Sequence, residues 1–313
     1  MKRKLVSSFL VAFLFCLPLC VAAQKSNGQA KRQKSVKKEL CLQLYSVRDL
    51  VHDINKDGKA EERWTSLLSR LHDMGYTSVE AAWYDQEHGT FYNRAAKDFK
   101  ADIEKAGMKV LSSHVNHGLT AEELASGDFT NALEWWKKCI ADHKAAGMSY
   151  IVNPWIGLQK SIHDLDVYCR YLNAIGKMCK EAGIDFGYHN HNYEFEKVEG
   201  QVMYDYMLEH TNPEYVFFQM DMYWTVRGAS SPVEYFNRYP GRFKSYHCKD
   251  YREIGQSGMV GWDAIFRNAK TAGVRYLVAE IEQCTMPVEQ SIKESAQYLL
   301  SAPFVKAHYP VAQ

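Results

Sequence analysis

The sequence is short of several things that would settle its class at once. Its eight cysteines contain no C-x-x-C pair. Two of them lie in the N-terminal apolar run, and the other six (Cys41, Cys139, Cys169, Cys179, Cys248 and Cys284) are scattered. That spacing excludes a cysteine zinc cluster and implies small buried residues rather than a disulfide framework. Cys169 and Cys179 fall ten residues apart on one predicted helix, too far to bridge. Charge of one sign is also missing. With 38 basic and 37 acidic residues, the chain has no electrostatic grip for nucleic acid. No apolar stretch beyond the N-terminal one is long enough to cross a bilayer, so no transmembrane segment is expected in the mature chain.

What stands at the N-terminus is an export pattern. Lys2, Arg3 and Lys4 precede an apolar run from Leu5 to Cys20, and Val21-Ala22-Ala23 supplies small residues for cleavage. Residues 1–23 are therefore expected to be a secretory signal peptide, making the protein periplasmic or secreted. Lipid anchoring through Cys20 is the alternative, which Leu19 directly before it disfavours. Residues 24–38 carry Lys25, Lys31, Arg32, Lys34, Lys37 and Lys38 without an acid. They imply a solvated basic linker. Residues 39–313 remain for one domain.

Within that domain a short apolar strand, a polar turn and an amphipathic helix recur. The expected strands are Leu40–Tyr45, Thr77–Ala82, Lys109–His114, Tyr150–Pro154, Asp185–His189, Val216–Asp221, Phe243–His247 and Arg275–Glu280. Helices are expected near Arg63–Met74, Arg94–Ala106, Asn131–Ala146, Leu165–Ala182, Met203–His210, Pro232–Tyr239, Trp262–Ala272 and Val288–Leu300. Gly75, Gly107, Gly147, Gly183 and Gly273 follow helix ends, where a left-handed residue stops the helix. Eight alternations in a chain of this size fit an α/β (β/α)8 TIM barrel. A doubly wound sheet would want a Gly-rich turn after the first strand, and Gln43-Leu44-Tyr45-Ser46-Val47-Arg48 has none.

A barrel of this kind places its chemistry at the C-terminal strand ends, above an interior expected to be apolar. The polar residues fall accordingly. Gln43 ends the first strand, Glu80 lies in the second, His114 ends the third and Asn153 the fourth. His189-Asn190-His191 ends the fifth with Glu194 beyond. Asp221, His247 and Glu280 end the sixth, seventh and eighth, with Lys249-Asp250 and Glu282 following. Singly, each is as well explained by a loop cap or an ion pair; Glu80 and Asp250 would pair with basic groups, and Glu282 would face the helical shell. As a set, Asp221, His247 and Glu280 place oxygen and imidazole donors around one mouth, which suits Mn²⁺, Co²⁺, Zn²⁺ or Mg²⁺. Tyr45, Trp155, Trp224 and Trp262 are read either as rim packing or as platforms for a sugar.

The segments Gln43–Arg48, Tyr188-His189-Asn190-His191, Asp221-Met222-Tyr223-Trp224, His247-Cys248-Lys249-Asp250 and Val278-Ala279-Glu280 resemble the sugar phosphate isomerase/epimerase group. That group belongs to the xylose-isomerase-like TIM barrel superfamily. The resemblance implies a divalent metal held from strands five to eight, with isomerase, epimerase, dehydratase or lyase activity on sugars. Members with two metal-bound glutamates carry Glu where this chain has His189. The fourth ligand therefore falls to Glu194, with His189 the alternative. No Gly-rich phosphate nest follows strand seven or eight, and Gly255–Gly261 is read as an active-site loop. A non-phosphorylated sugar is the expected substrate.

The expected chemistry is removal of a proton next to a carbonyl, with Glu280, Glu194, His189 or His191 as base and Lys249 holding an oxyanion or hydroxyl. Gln43, His114, Asn153, Trp224 and Trp262 are the candidate substrate contacts. A metal-dependent isomerase or epimerase is the leading reading. A β-eliminating lyase on a keto-glycoside follows it, and then a non-catalytic sugar-binding barrel. A metal-dependent endonuclease would want more histidines and a basic groove. The expected partner is a small sugar, not nucleic acid, and a homo-oligomer is left open.

Overall fold

The computed structural model describes residues 37–52 and 59–309. The expected signal peptide and most of the basic linker lie outside them. Lys38, expected to close the linker, donates to the carbonyls of Ala302 (2.7 Å) and Leu299 (3.4 Å).

Eight parallel strands close into a barrel in chain order. They are β1 (Cys41–Gln43), β2 (Ser78–Ala81), β3 (Lys109–His114), β4 (Tyr150–Asn153), β5 (Asp185–His189), β6 (Phe217–Asp221), β7 (Ser245–Lys249) and β8 (Tyr276–Glu280). The shell helices are α1 (Ala60–Asp73), α2 (Ala96–Lys105), α3 (Thr130–Ala145), α4 (Ile162–Ala182), α5 (Met203–His210), α6 (Pro232–Arg238), α7 (Trp262–Arg267, followed by Ala269–Ala272) and α8 (Val288–Ser301). All eight expected strands are present, and β7 runs two residues beyond its expected end. The glycines that follow the helices have positive φ, from 75° at Gly183 to 105° at Gly75. That is the left-handed turn which lets the chain leave a helix and enter the next strand.

Two excursions carried no strand signal. Tyr84–Asp85, Thr90–Phe91 and Arg94–Ala95 form a small antiparallel sheet between β2 and α2, and Lys197–Val198 pairs with Gln201–Val202 before α5. Strands this short are held by their turns and flanking rings rather than by an apolar repeat, so periodicity cannot reveal them. The small sheet is pinned by Phe91, which stacks on Phe99 of α2 at 5.4 Å.

The main core lies between barrel and helices. A second, smaller core of Tyr150, Val152 and Phe217, with Leu111 and Tyr276 against it, sits inside the barrel. Tyr150, Phe217 and Tyr276 begin β4, β6 and β8, the alternation expected of a barrel layer. Gly187 on β5 makes room for this plug: a Cβ there would meet the Phe217 ring at 2.7 Å. Above the plug the interior is not apolar, contrary to expectation. Gln43, Glu80, Ser112, Gln219 and Ser245 are all buried and bonded to one another. Because strands alternate side chains with period two, β6 runs inward as Phe217, Gln219 and Asp221, from plug to polar layer to mouth.

Candidate metal and active site at the barrel mouth

Register between neighbouring strands brings the donors together. Asp221 pairs with His247 and Lys249 with Glu280, and His247 and Lys249 share a face of β7 two residues apart. His247 Nδ1 lies 3.0 Å from Asp221 Oδ2 and 3.9 Å from Glu280 Oε2, and donor atoms of all three residues lie within 4.8 Å of one another. Asp221 has its other oxygen committed. As N-cap of the short helix Met222–Arg227 it accepts from the Trp224 amide at 2.8 Å, which fixes the carboxylate with one oxygen facing the site.

Lys249 Nζ donates to Glu280 Oε2 at 2.8 Å and lies 2.6 Å from Glu282 Oε2, with the Trp224 ring centroid 5.6 Å away. Glu282 thus faces the site rather than the helical shell. On the other side of His247 the rings of His189 and His114 stand 4.5 Å and 5.5 Å away. His114, His189 and His247 form a second convergent group of donor atoms. Asn190, between the two histidines of the H-x-H motif, points away from them. It accepts from the Asp221 amide and the Tyr204 hydroxyl, anchoring the ends of β5 and β6 to each other.

Beneath His247 lies Glu80, which sequence reasoning had assigned to a basic partner. Its oxygens instead accept from Gln43 Nε2 (2.9 Å), Ser112 Oγ (2.6 Å) and Gln219 Nε2 (2.9 Å), with His114 Nε2 at 3.1 Å and His247 Nε2 at 3.7 Å. Side chains from four other strands can meet one carboxylate only inside the barrel. The available signal was an acid between Val79 and Ala81 in a strand, and a glutamine at 219 within a strand. Either is costly to bury without partners.

Charge follows from this packing. Burial works against ionising His247, but the Asp221 hydrogen bond and the fields of Glu280 and Glu80 push its pKa up to about 10. Burial would raise Glu280 as well, yet Lys249 and His247 hold it below the ordinary carboxylate range. Glu80 is held far below that range by His114 and His247, against burial. His189 goes the other way. Burial and the neighbouring charges of His247, His114, His191 and Lys249 keep it well below an ordinary histidine. It is a neutral imidazole at neutral pH, and its buried Nδ1 has no hydrogen-bond partner.

The residues fit a divalent cation. Glu80, Asp221 and Glu280 are buried carboxylates, Glu282 adds a fourth acid, and Lys249 is the permanent cation among them. Protonated His247 fills part of that deficit in the metal-free chain, and oxygen and imidazole donors in this number suit a divalent ion. Glu80 lies 3.7 Å from the far nitrogen of His247, close enough for its charge to act on the imidazole but without a hydrogen bond, and that nitrogen is left without a partner.

The other expected residues are distributed unevenly. Glu194 is buried beside the site, but its two oxygens accept from the Tyr188 hydroxyl (2.7 Å) and the His191 amide (2.8 Å), outside both convergent groups. Burial pushes its pKa up to about 7. His191 lies between Trp155, Tyr193 and Trp224 on the rim, its pKa pushed down to about 4 by burial. His114 bonds Gln219 Oε1 at 2.8 Å, and Gln43 belongs to the Glu80 network. Asn153 accepts from the Trp155 amide and holds the β4 turn. Trp262 is buried at the start of α7, where its indole donates to Asp250 Oδ2 at 3.1 Å and its ring neighbours Phe266. It packs into the shell rather than the mouth. Asp250 ties down its own loop, accepting from the Gly255 amide at 3.0 Å and from Ser257. The segment expected to be a free active-site loop is therefore pinned at Gly255. All six cysteines of the domain are free, and five are buried.

A closed eight-stranded parallel barrel with hard and borderline donors gathered from its last three strands is the architecture of a barrel that could hold a divalent cation at its mouth. The pattern of the xylose isomerase-like TIM barrel family matches residues 68–302, and the chain belongs to that family. Two solved sugar phosphate isomerase/epimerase structures from Parabacteroides distasonis are similar to it. One is 32% identical, covers 93% of this chain and 100% of its own, and has a TM-score of 0.77. The other is 34% identical over 86% of this chain and 100% of its own, with a TM-score of 0.75. An inosose dehydratase from Clostridium tetani is 30% identical over 205 residues, 62% of this chain. This chain spans 65% of the length of that curated relative. By its likeness to the two Parabacteroides structures the protein is a member of a sugar isomerase/epimerase family. Among the described residues no helix is long and apolar enough to cross a membrane.

Proposed function

We propose that this protein is an exported, divalent-metal-dependent enzyme that removes the proton next to a carbonyl of a non-phosphorylated sugar or keto-sugar, as an isomerase or epimerase. The observation that carries this is the convergence of Asp221, His247 and Glu280 donor atoms within 4.8 Å of one another at the mouth. Those three residues would hold the cation. Glu194, the expected fourth ligand, has both oxygens already engaged, which leaves three protein ligands and keeps His189 for the proton. A bound divalent ion stabilises the negative charge that builds on the carbonyl oxygen as the proton leaves.

His189 is the base best suited to the step, since it is neutral and its Nδ1 has no partner. Its imidazole takes the proton while the C–H electron pair moves into the new C=C bond. Glu280, held below the ordinary carboxylate range, is a weaker base and better employed as a ligand. Lys249 stands where it can donate to a substrate hydroxyl or developing oxyanion. Returning the proton to the neighbouring carbon, while that carbon's hydroxyl proton passes to the former carbonyl oxygen, gives isomerisation. Epimerisation instead takes its new proton from a second acid on the opposite face, with His189 keeping the one it removed.

Elimination is the second reading, supported by the likeness to an inosose dehydratase. There the new electron pair expels a β-hydroxyl or β-glycosyl oxygen, which leaves with a proton from an acid of the site. The test offers ketoses, aldoses and keto-glycosides in deuterated water with Mn²⁺ or Co²⁺. Deuterium retained at the rearranged carbon supports the isomerase or epimerase, and an unsaturated product with a released β-group supports the lyase. Protein that binds no stoichiometric divalent metal would sink both.

A further inference from the structure

Three imidazoles from alternate strands meet inside the barrel. His114 ends β3, His189 ends β5 and His247 lies on β7, and alternate strands are what fill one layer of such a barrel. The ring centroids stand 4.8 Å apart for His114 and His189, 4.5 Å for His189 and His247, and 5.5 Å for His114 and His247. One nitrogen of each lies within 4.8 Å of the other two. A tetrahedral ion with Zn–N bonds of about 2 Å sets its ligand ring centres about 5 Å apart. The triangle has that size.

Close packing does not require this. A buried polar atom without a partner costs about 1–3 kcal/mol, and the cluster carries two of them. His189 Nδ1 and His247 Nε2 are both buried and make no hydrogen bond. His247 Nε2 is the nitrogen turned from the mouth carboxylates, since Nδ1 faces Asp221 and Glu280. His114 donates through Nε2 to Gln219 Oε1 at 2.8 Å, because the Gln219 amide nitrogen is given to Glu80 and Ser245. That bond fixes the tautomer and leaves Nδ1 of His114 with its lone pair, the usual state of a ligating histidine. Glu80 Oε1, 3.1 Å from His114 and 3.7 Å from His247, supplies negative charge beside two of the rings.

The two donor sets differ in kind. Asp221, His247 and Glu280 offer two carboxylates and one imidazole, a set that accepts Mn²⁺ or Mg²⁺, whereas three imidazoles favour Zn²⁺ and reject both. We propose that His114, His189 and His247 form a second cation site, selective for Zn²⁺ over Mn²⁺, whose occupation blocks the enzyme. His247 belongs to both sets, and His189 is the base of the proposed reaction. A Zn²⁺ ion on the three imidazoles therefore withdraws a ligand from the first site and the lone pair from the base. The blocking effect rests on the proposed function; the site itself does not.

The test is X-ray absorption at the zinc edge on the full protein with one equivalent of Zn²⁺, beside calorimetric titrations with Zn²⁺ and Mn²⁺. Outer-shell scattering counts the bound imidazoles, and three are expected. A count of one would put the zinc on Asp221 and Glu280 and overturn the site, as would failure to bind Zn²⁺. Asp221→Asn, which keeps the helix cap, should lose Mn²⁺ yet hold Zn²⁺ on three imidazoles; loss of both ions together overturns the site. His114→Gln should keep Mn²⁺ while its Zn²⁺ affinity falls about tenfold to a hundredfold, and an unchanged Zn²⁺ affinity overturns it. The imidazole count on the unmodified protein decides even where a variant fails to fold. Zn²⁺ should also displace Mn²⁺ one for one from the Mn²⁺-loaded protein, and Mn²⁺ retained beside Zn²⁺ overturns the blocking. Zn²⁺ on three imidazoles in a protein that takes no Mn²⁺ strikes the proposed function alone.

Discussion

At the start of β4, β6 and β8 the barrel interior is filled by Tyr150, Phe217 and Tyr276; four residues further along β6 and β8, the same strand faces present Asp221 and Glu280. The lower half is held by ring packing, with Tyr150 and Phe217 edge to face at 5.3 Å. The upper half is held by charge, with each buried acid facing an imidazole, amide or ammonium. The lower half needs no partner beyond shape. In the upper half, every member left without a partner is a liability, and that sensitivity makes the region able to exchange a proton or hold a cation. Tyr150 marks the border, its ring in the plug and its hydroxyl 3.4 Å from Ser245 Oγ in the polar layer.

The contrast can be broken from either end. The largest effect is expected at the mouth: Asp221→Ala or His247→Ala should abolish stoichiometric Mn²⁺ binding and lower turnover by about a thousandfold or more, with little change in fold. Metal analysis and a rate assay would check both. Next comes the plug. Phe217→Ala should cost about 3–5 kcal/mol of stability while metal stoichiometry is retained, as read by denaturant unfolding. If metal binding disappeared at temperatures where the variant is still folded, the two halves would not be separable in this way.

Between them, Glu80→Ala strips one carboxylate from Gln43, Ser112 and Gln219 together. It should destabilise by about 3 kcal/mol and also weaken metal affinity, because a negative charge 3.7 Å from His247 is lost. The pH dependence is a smaller effect. Glu194, buried and pushed up to about 7, keeps its proton in the fold above the pH at which the unfolded chain releases it. The stability this contributes is complete below the ordinary carboxylate range and is lost as pH rises through about 7. Glu194→Gln should therefore lose less melting temperature than the unmodified protein between pH 6 and about 8.5, and equal losses would remove Glu194 as the cause. The smallest effect belongs to Trp262→Phe, about 1 kcal/mol from the lost bond to Asp250, with sugar binding unchanged. A large loss of binding would return Trp262 to the mouth.

Much of this was legible beforehand. The eight strand–helix units follow from apolar runs and from glycines at helix ends, both of them local signals. Asp221, His247 and Glu280 could be assembled because each lies at, or two residues before, the end of a strand, and the barrel carries three consecutive strand ends to one place. Glu80 could not be read, since an acid inside a short strand has no local partner to declare its role. Trp262 was misjudged for a related reason: a Trp at a helix start looks alike whether its indole turns to the mouth or to Asp250. The sheet spanning Tyr84 to Ala95 escaped because its strands are too short to show a period.

The sequence by itself determined the class of barrel, the order of its elements and the nearness of Asp221, His247 and Glu280 to the ends of the last three strands, because period, capping and strand position are properties of neighbouring residues. Tertiary structure alone decided that Glu80 binds the polar layer together and that Glu194 is engaged by Tyr188 and the His191 amide. It also turned Glu282 to Lys249 and brought His114, His189 and His247 together. Those are contacts between strands far apart in the chain, and nothing in a local pattern says which buried polar atom will meet which.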